Sequence, residues 1–156
     1  MKIRKVIHNN RRKVFEVHAG GKVYVYPYSR ARLRASGRDR VGETVVDREL
    51  GGEAFTYVLA SGKEGTVHVE QVLDYNKDPD YMTDLLLYKL TLEARRRVEN
   101  SALSAREVIR RLRTSPAQFY RLLDPTNYRK SVRQMVSLLY VLDCEVDLVV
   151  RSRKSA

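Results

Sequence analysis

The sequence has a single cysteine, no tryptophan and no long hydrophobic run. Its one cysteine, Cys144, cannot form a disulfide within the chain, and its place in the apolar stretch LLYVLDCEV is typical of a small buried residue. A membrane-spanning helix needs about 20 consecutive apolar residues, and no stretch approaches that length. The opening residues, MKIRKVIHNNRR, lack the apolar core of a secretion signal, so we expect a cytoplasmic protein.

Patterns that indicate catalysis or metal binding are also scarce. His8, His18 and His68 occur without the HxH, HExxH or CxxC spacing of metal sites. The carboxylates are scattered, and the glycine pairs lack the lysine and serine of a phosphate-binding loop. We therefore expect no catalytic residue, no metal, no cofactor and no enzymatic activity.

Positive charge, by contrast, is in excess. The chain carries 30 lysine and arginine residues against 19 aspartate and glutamate residues, a net charge of +11. The excess is concentrated between residues 95 and 133, where 11 basic residues accompany 3 acidic ones. Such a distribution favours a polyanionic partner, nucleic acid before a membrane.

The first part of the chain alternates apolar and polar residues up to Leu73, which predicts a β-rich domain over residues 1–75. Two hairpins stand out: VFEVHA and KVYVY around a Gly-Gly turn, and FTYVL and TVHV around a Ser-Gly turn. Their flanks, HAGGK and LASGK, are alike, which turn chemistry alone explains. Residues 29–52, between the hairpins, predict a long surface loop.

A polar cluster with a proline, residues 74–80, ends this pattern, and the apolar residues then recur with the period of a helix. One long helix is expected from residue 81 to about residue 100. Further helix starts are marked by serines. Ser104 with Glu107 has the form of a capping box, Ser115 precedes a proline, and Ser131 precedes a third amphipathic segment.

A first short helix begins at the Ser104 capping box and its pattern halts at Arg113 and Thr114, and a second runs over 116–123, so a tight turn separates the two. This arrangement predicts a helix-turn-helix, whose corner is buried when a third helix closes the core. We expect Leu87, Leu112, Phe119 and Leu139 to share that core.

The last apolar stretch, EVDLVV at 145–150, alternates as a C-terminal strand. Two partners fit it equally well: the same strand across a two-fold axis, or the β-rich domain. The predicted fold class is α+β, an N-terminal antiparallel β-rich domain followed by a helix-turn-helix domain over 81–156 that ends in this strand.

The stretch SAREVIRRLRTSPAQFYRLLD, followed by SVRQMVSLLYVLDCEVDLVV, resembles the phage-repressor-like (XRE-type) helix-turn-helix regulators, especially antitoxin-like members with a strand after the last helix. The resemblance covers about the last 55 residues. It implies a bacterial, nucleoid-associated regulator of transcription that binds double-stranded DNA. The family usually has glycine where Arg113 stands, so the turn is either displaced or strained.

The N-terminal half more faintly resembles the β-rich domain at the front of γ-butyrobetaine hydroxylases, through KVYVYPYSRARLR and GGEAFTYVLASGKEGTVHVEQVL. The cysteines that bind zinc in many of those relatives are missing here. The resemblance therefore implies a fold and no metal.

Within the helix-turn-helix, Ser115, Ala117, Gln118 and Arg121 match the family's positions that cap the second helix or face DNA. We expect base edges to be read by Ala117, Gln118, Tyr120 and Arg121, because glutamine can pair with adenine and arginine with guanine. Contacts to the DNA backbone are expected from Arg106, Arg110, Ser115, Thr126, Asn127, Arg129, Lys130 and Arg133. A homodimer is expected because such proteins engage two half-sites about 34–36 Å apart.

Two other functions are compatible with the sequence. The chain is an antitoxin or adaptor if its β domain binds a protein partner. Exposed tyrosines at Tyr24, Tyr26 and Tyr28 would offer the contact surface, although tyrosine-rich strands are more often simply amphipathic. It is instead a metal-dependent or nucleic-acid-processing enzyme if the strands bring the three histidines together.

Overall fold

The computed structural model describes residues 1–153 and confirms the α+β class. The chain forms two compact units, one of residues 1–82 and one from residue 83 onward. The strands are β1 Ile3–Asn9, β2 Val14–Ala19, β3 Lys22–Pro27, β4 Val41–Asp47, β5 Ala54–Leu59 and β6 Glu64–His68, with a short 3-10 helix at Tyr28–Arg30. The helices are α1 Val69–Asn76, α2 Pro79–Glu99, α3 Ala105–Leu112, α4 Pro116–Leu123 and α5 Val132–Val141.

The strands form two antiparallel sheets, with orders β1-β2-β3 and β4-β5-β6. The Gly-Gly hairpin is confirmed, since Ala19 pairs with Lys22 and both turn glycines have positive φ angles, 57° at Gly20 and 77° at Gly21. Residues other than glycine reach that region only at a cost, and two-residue hairpin turns of this kind require it.

The two sheets resemble each other beyond their turns. Each has its strands in sequential order, and each first strand has an irregular register near its start, between Ile3 and Lys5 in β1 and between Val41 and Glu43 in β4. The central strands VFEVHA and AFTYVL also share one pattern of burial along their length. The N-terminal unit therefore contains two three-stranded sheets of similar construction.

Two elements of the N-terminal unit differ from the sequence prediction. Strand β4 lies inside the predicted loop of residues 29–52. It was not predicted because its register irregularity interrupts the alternation of apolar and polar residues that indicates a strand. Residues Val69–Asn76 form a helix where continued strand and turn were expected. Val69, Val72 and Leu73 are all buried, a spacing that suits one face of a helix.

Both sheets and α1 contribute to one hydrophobic core in the N-terminal unit. At its centre the ring of Phe15 lies 5.0 Å from the rings of Phe55 and Tyr57, measured between centroids. Aromatic pairs at such separations contribute beyond the area they bury. This core accounts for the two sheets forming a single unit.

The tyrosines expected on the surface are buried in this core. Tyr24, Tyr26 and Tyr28 are only 6%, 3% and 5% exposed. Their rings pack inward while each hydroxyl finds a polar partner at the margin: Tyr24 donates to Asp78 at 2.9 Å and Tyr26 to the carbonyl of Arg30 at 3.0 Å. The expectation of a tyrosine contact surface was therefore wrong.

Asp78 joins the sheet to the start of α2. Its carboxylate is 4% exposed and accepts hydrogen bonds from Lys22 Nζ at 3.1 Å, Tyr24 at 2.9 Å and the backbone N–H of Tyr81 at 3.2 Å. Burial by itself raises the pKa of Asp78, but the bonds from Lys22 and Tyr24 outweigh it and hold the pKa below its usual value.

In the second unit, one core joins α2, α3, α4 and α5. Phe119 and Leu139 belong to it and Leu112 packs against it, as predicted, whereas Leu87 is buried outside it.

The predicted C-terminal strand is absent: within the described residues, 144–153 form neither strand nor helix. A strand exists only when its backbone is paired, and alternation in sequence supplies no partner. No helix among residues 1–153 is long and apolar enough to cross a membrane.

Because the folded-state pKa of Asp78 is depressed, its contribution to stability is present above about pH 4 and is lost as the pH falls through the folded-state value. We expect Asp78→Asn to lower the melting temperature at neutral pH and to flatten its decline in acid. The exposed Asp74, which pairs with Lys77 on the surface, is the control, and Asp74→Asn should leave the melting curve almost unchanged. Thermal melts over a pH series test this; equal curves for the two variants would contradict it.

Candidate nucleic-acid interface

Helices α3 and α4 are two separate eight-residue helices joined by a three-residue turn, as the sequence predicts. Ser104 and Ser115 cap their N-termini, each accepting a hydrogen bond at 3.2 Å from a backbone N–H three residues on. Ser131 caps α5 within a complete capping box, since Gln134 also accepts from the backbone N–H of Ser131 at 2.8 Å. Glu107 makes no such return bond, because its carboxylate is engaged elsewhere.

The turn is strained and not displaced. Arg113 has φ 55° and ψ 45°, the left-handed conformation, and ends α3. Its N–H bonds to the carbonyl of Arg110 at 3.1 Å, and the N–H of Thr114 bonds to the carbonyl of Ile109 at 3.2 Å, so two carbonyls at the end of the helix are satisfied. The sequence therefore retains at Arg113 the backbone geometry for which glycine is usually chosen.

Helix α4 has one buried and one exposed face. Phe119 is fully buried, and Leu122 is 6% exposed, so this face holds the helix on the core of the second unit. The predicted base-reading residues, Ala117, Gln118, Tyr120 and Arg121, are all exposed. Residues three or four apart on a helix are neighbours, so these four side chains form one continuous surface, which we call the α4 face.

The predicted backbone-contacting arginines fall into two groups. The exposed Arg106, Arg129 and Arg133 make no ion pair with any residue in the described part of the chain. Arg110 instead binds Glu107 through two hydrogen bonds, of 2.9 and 2.6 Å. Arg111, which was not among the predicted DNA contacts, binds the same carboxylate at 2.8 Å.

Glu107 is consequently held in its ionised form. The hydrogen bonds from Arg110 and Arg111 lower the pKa of Glu107 to about 2. Two guanidinium groups sharing one carboxylate leave a net positive charge on this part of α3. The pairs lie at the surface, where an ion pair contributes little to stability, so a phosphate can compete for these arginines.

Lys130 has a different position from the one expected. It is 6% exposed, and its Nζ donates to the carbonyls of Leu122 at 2.9 Å and Asp124 at 2.6 Å. Burial lowers the pKa of Lys130, and the nearby Asp124 opposes that shift. The ammonium group therefore satisfies free carbonyls at the C-terminal end of α4, and we leave Lys130 out of the phosphate-contacting set.

The loop between α4 and α5 contributes in the same way. The side-chain amide of Asn127 donates to the carbonyl of Arg121 at 3.1 Å, so Asn127 also holds the end of α4. Thr126 bonds through its N–H and hydroxyl to Asp124, at 2.9 and 2.7 Å. Both side chains therefore help to shape the loop, and their contacts with DNA phosphates stay a prediction.

The two caps at the end of α4 have no sequence signature. Pairing a lysine with carbonyls six and eight residues earlier depends on how the loop turns, which residue order alone does not specify.

The chain matches no protein-family model, no curated protein and no solved structure. The resemblances to phage-repressor-like regulators and to the hydroxylase β-rich domain therefore stay predictions.

Replacing Arg113 with glycine should stabilise the protein. A left-handed conformation costs an L-residue about 1–2 kcal/mol, while the greater backbone freedom of glycine in the unfolded chain returns part of that. We expect Arg113→Gly to raise the free energy of unfolding by up to about 1 kcal/mol. Arg113→Ala keeps the strain and should give no such gain. Urea denaturation compares them, and an Arg113→Ala variant as stable as Arg113→Gly would contradict the assignment.

Lys130→Met should destabilise the helical unit, because it leaves two carbonyls at the end of α4 without their charged donor. Hydrogen bonds to charged groups suggest a loss of about 1–3 kcal/mol in the free energy of unfolding. The neighbouring exposed Arg129→Met serves as the control and should change stability by less than about 0.5 kcal/mol. Equal stability of the two variants in urea would show that the Lys130 cap contributes nothing.

Proposed function

We propose that this protein binds double-stranded DNA with sequence preference, as a regulator of transcription, by placing α4 in the major groove. The α4 face is the observation that carries the proposal. It presents a glutamine and an arginine side by side on a helix whose opposite face is fixed in a core. Those two side chains have the donors and acceptors that distinguish base pairs from the major groove.

The arrangement and anchoring of the two helices support this role. An α-helix fits the major groove, and a helix-turn-helix inserts the second helix while the first crosses the backbone. Helix α4 is anchored at both ends, by the Ser115 cap and by the bonds from Asn127 and Lys130. A fixed orientation matters because base contacts require side chains held close to the groove edge.

The distribution of charge supplies the affinity that such binding needs. Arg106, Arg129 and Arg133 lie at the first helix or near the start of α5 with no carboxylate partner in the described residues. Each phosphate neutralised by a cation releases condensed counterions, which favours binding to any DNA sequence. Arg110 joins this set if a phosphate displaces Glu107.

The alternative of an antitoxin or adaptor has less support from the β-rich unit. In the sequence, a surface of exposed tyrosines was the feature that favoured a protein partner. Tyr24, Tyr26 and Tyr28 are instead core residues. The enzymatic alternative required the histidines to converge, and in residues 1–153 no group of three potential metal ligands is brought together. We therefore propose DNA binding as the function.

Two exposed arginines allow a matched test of the proposal. Arg121→Ala should cost about 1–3 kcal/mol on a preferred duplex and relax discrimination at one base pair, because a base contact is lost. Arg129→Ala should weaken binding to matched and scrambled duplexes alike and reduce the log-log salt slope by about 1. Fluorescence anisotropy with both duplexes over a salt series measures both quantities.

The outcomes separate the two roles. Identical behaviour of the Arg121 and Arg129 variants would contradict the division between base reading and phosphate contact. Failure of the unaltered protein to bind any duplex at low salt would refute the proposed function itself.

A further inference from the structure

Residues 145–150 form an apolar segment whose centre is left exposed by the described part of the chain. Leu148, Val149 and Val150 are 86%, 67% and 84% exposed. Among the described residues, no backbone hydrogen bond involves residues 145–153. Contiguous apolar side chains and unpaired backbone groups together are the features of an unfilled interface.

The segment is nonetheless oriented by the part that precedes it. Cys144 and Val146 are half-buried against the helical core, while Glu145 and Asp147, which follow them in turn, are exposed. This alternation is that of extended chain, in which every second side chain shares a face. Leu148 and Val150 therefore continue the face that begins on the core.

Charges along the segment are arranged in two halves. Acidic residues, Glu145 and Asp147, precede the apolar centre, and basic residues, Arg151 and Arg153, follow it. The charges of this segment therefore complement those of a second copy that runs in the opposite direction. Two parallel copies in register would place like charges opposite each other, whereas two antiparallel copies place opposite charges together.

We propose that residues 145–153 pair with the same residues of a second copy as an antiparallel β-ladder centred on Val149. In this register Glu145 lies opposite Arg153, Asp147 opposite Arg151 and Leu148 opposite Val150. Shifting the centre to Leu148 would keep only the Glu145–Arg151 pair and place Asp147 opposite Val149. Arg153 would then face Asp143, which has a φ of 55° and lies outside the extended segment.

The ladder gives partners to the backbone groups and apolar side chains that are exposed in the single chain. It pairs the backbone groups along one edge of the segment and sets Leu148 beside Val150 of the partner strand on one face of the ribbon. An isolated two-stranded ribbon is only marginally stable, but here each strand is anchored to a helical core through Val146. Self-association through this segment does not depend on DNA binding.

Charge reversal tests the pairing and its register in the full chain without DNA. Asp147→Arg places two arginines opposite each other twice per dimer, and Arg151→Asp does the same with two aspartates. We expect either variant to weaken the dimer roughly two- to thirty-fold, the range that two cross-strand charge pairs typically contribute. An equimolar mixture of the two variants should restore the dimer as a heterodimer.

Two further variants complete the experiment, which measures mass by light scattering over a concentration series. Leu148→Asp should give a folded monomer, because that side chain is exposed in the single chain. Glu70→Arg, an exposed reversal on α1, should leave the dimer unchanged. A monomeric unaltered protein, a dimer that survives Leu148→Asp, or a mixture that fails to recover would each overturn the proposal.

Discussion

Burial of Phe119 is the interaction on which the helical unit depends. Helix α4 has eight residues, and isolated helices of that length are marginal in water, so its stability must come from packing. The phenyl ring is fully buried in a core with Val108 of α3 and Met135 of α5. The strained turn at Arg113 permits this contact because it lets α3 end and α4 begin within three residues. The exposed face of α4 is available for recognition only because this opposite face is fixed.

The polar groups around α4 show how positive charge is divided between structure and surface. Lys130 and Asn127 satisfy carbonyls at one end, and Ser115 satisfies an amide at the other. Glu107 draws Arg110 and Arg111 together on α3. A net charge alone therefore overstates the cations available to a polyanion, and the exposed Arg106, Arg129 and Arg133 are the ones without a carboxylate partner in the described residues.

Local signals in the sequence predicted the features that local chemistry determines. The serine caps, the Gly-Gly hairpin and the separation of α3 from α4 each depend on a few adjacent residues, and the structure confirms them. Strand β4 was missed because its register irregularity interrupts the alternation, and the burial of Tyr24 because its partner Asp78 is distant in the chain. The cap from Lys130 was missed because it depends on the path of the loop after α4. The segment 145–150 shows the same limit, since alternation predicts a strand only where another strand pairs with it. For the candidate site, exposure of the α4 face was predictable from helical periodicity, whereas the role of the loop after it was not.

The central claim is that α4 contacts base pairs, and residue-resolved amide hydrogen exchange tests it most directly. A duplex is first enriched from a random pool by the unaltered protein, and exchange is then compared with and without that duplex. The account predicts slower exchange concentrated in residues 115–123, where the backbone of α4 and its cap become enclosed by the groove. Failure to enrich any sequence, or protection confined to residues 1–82, would contradict it.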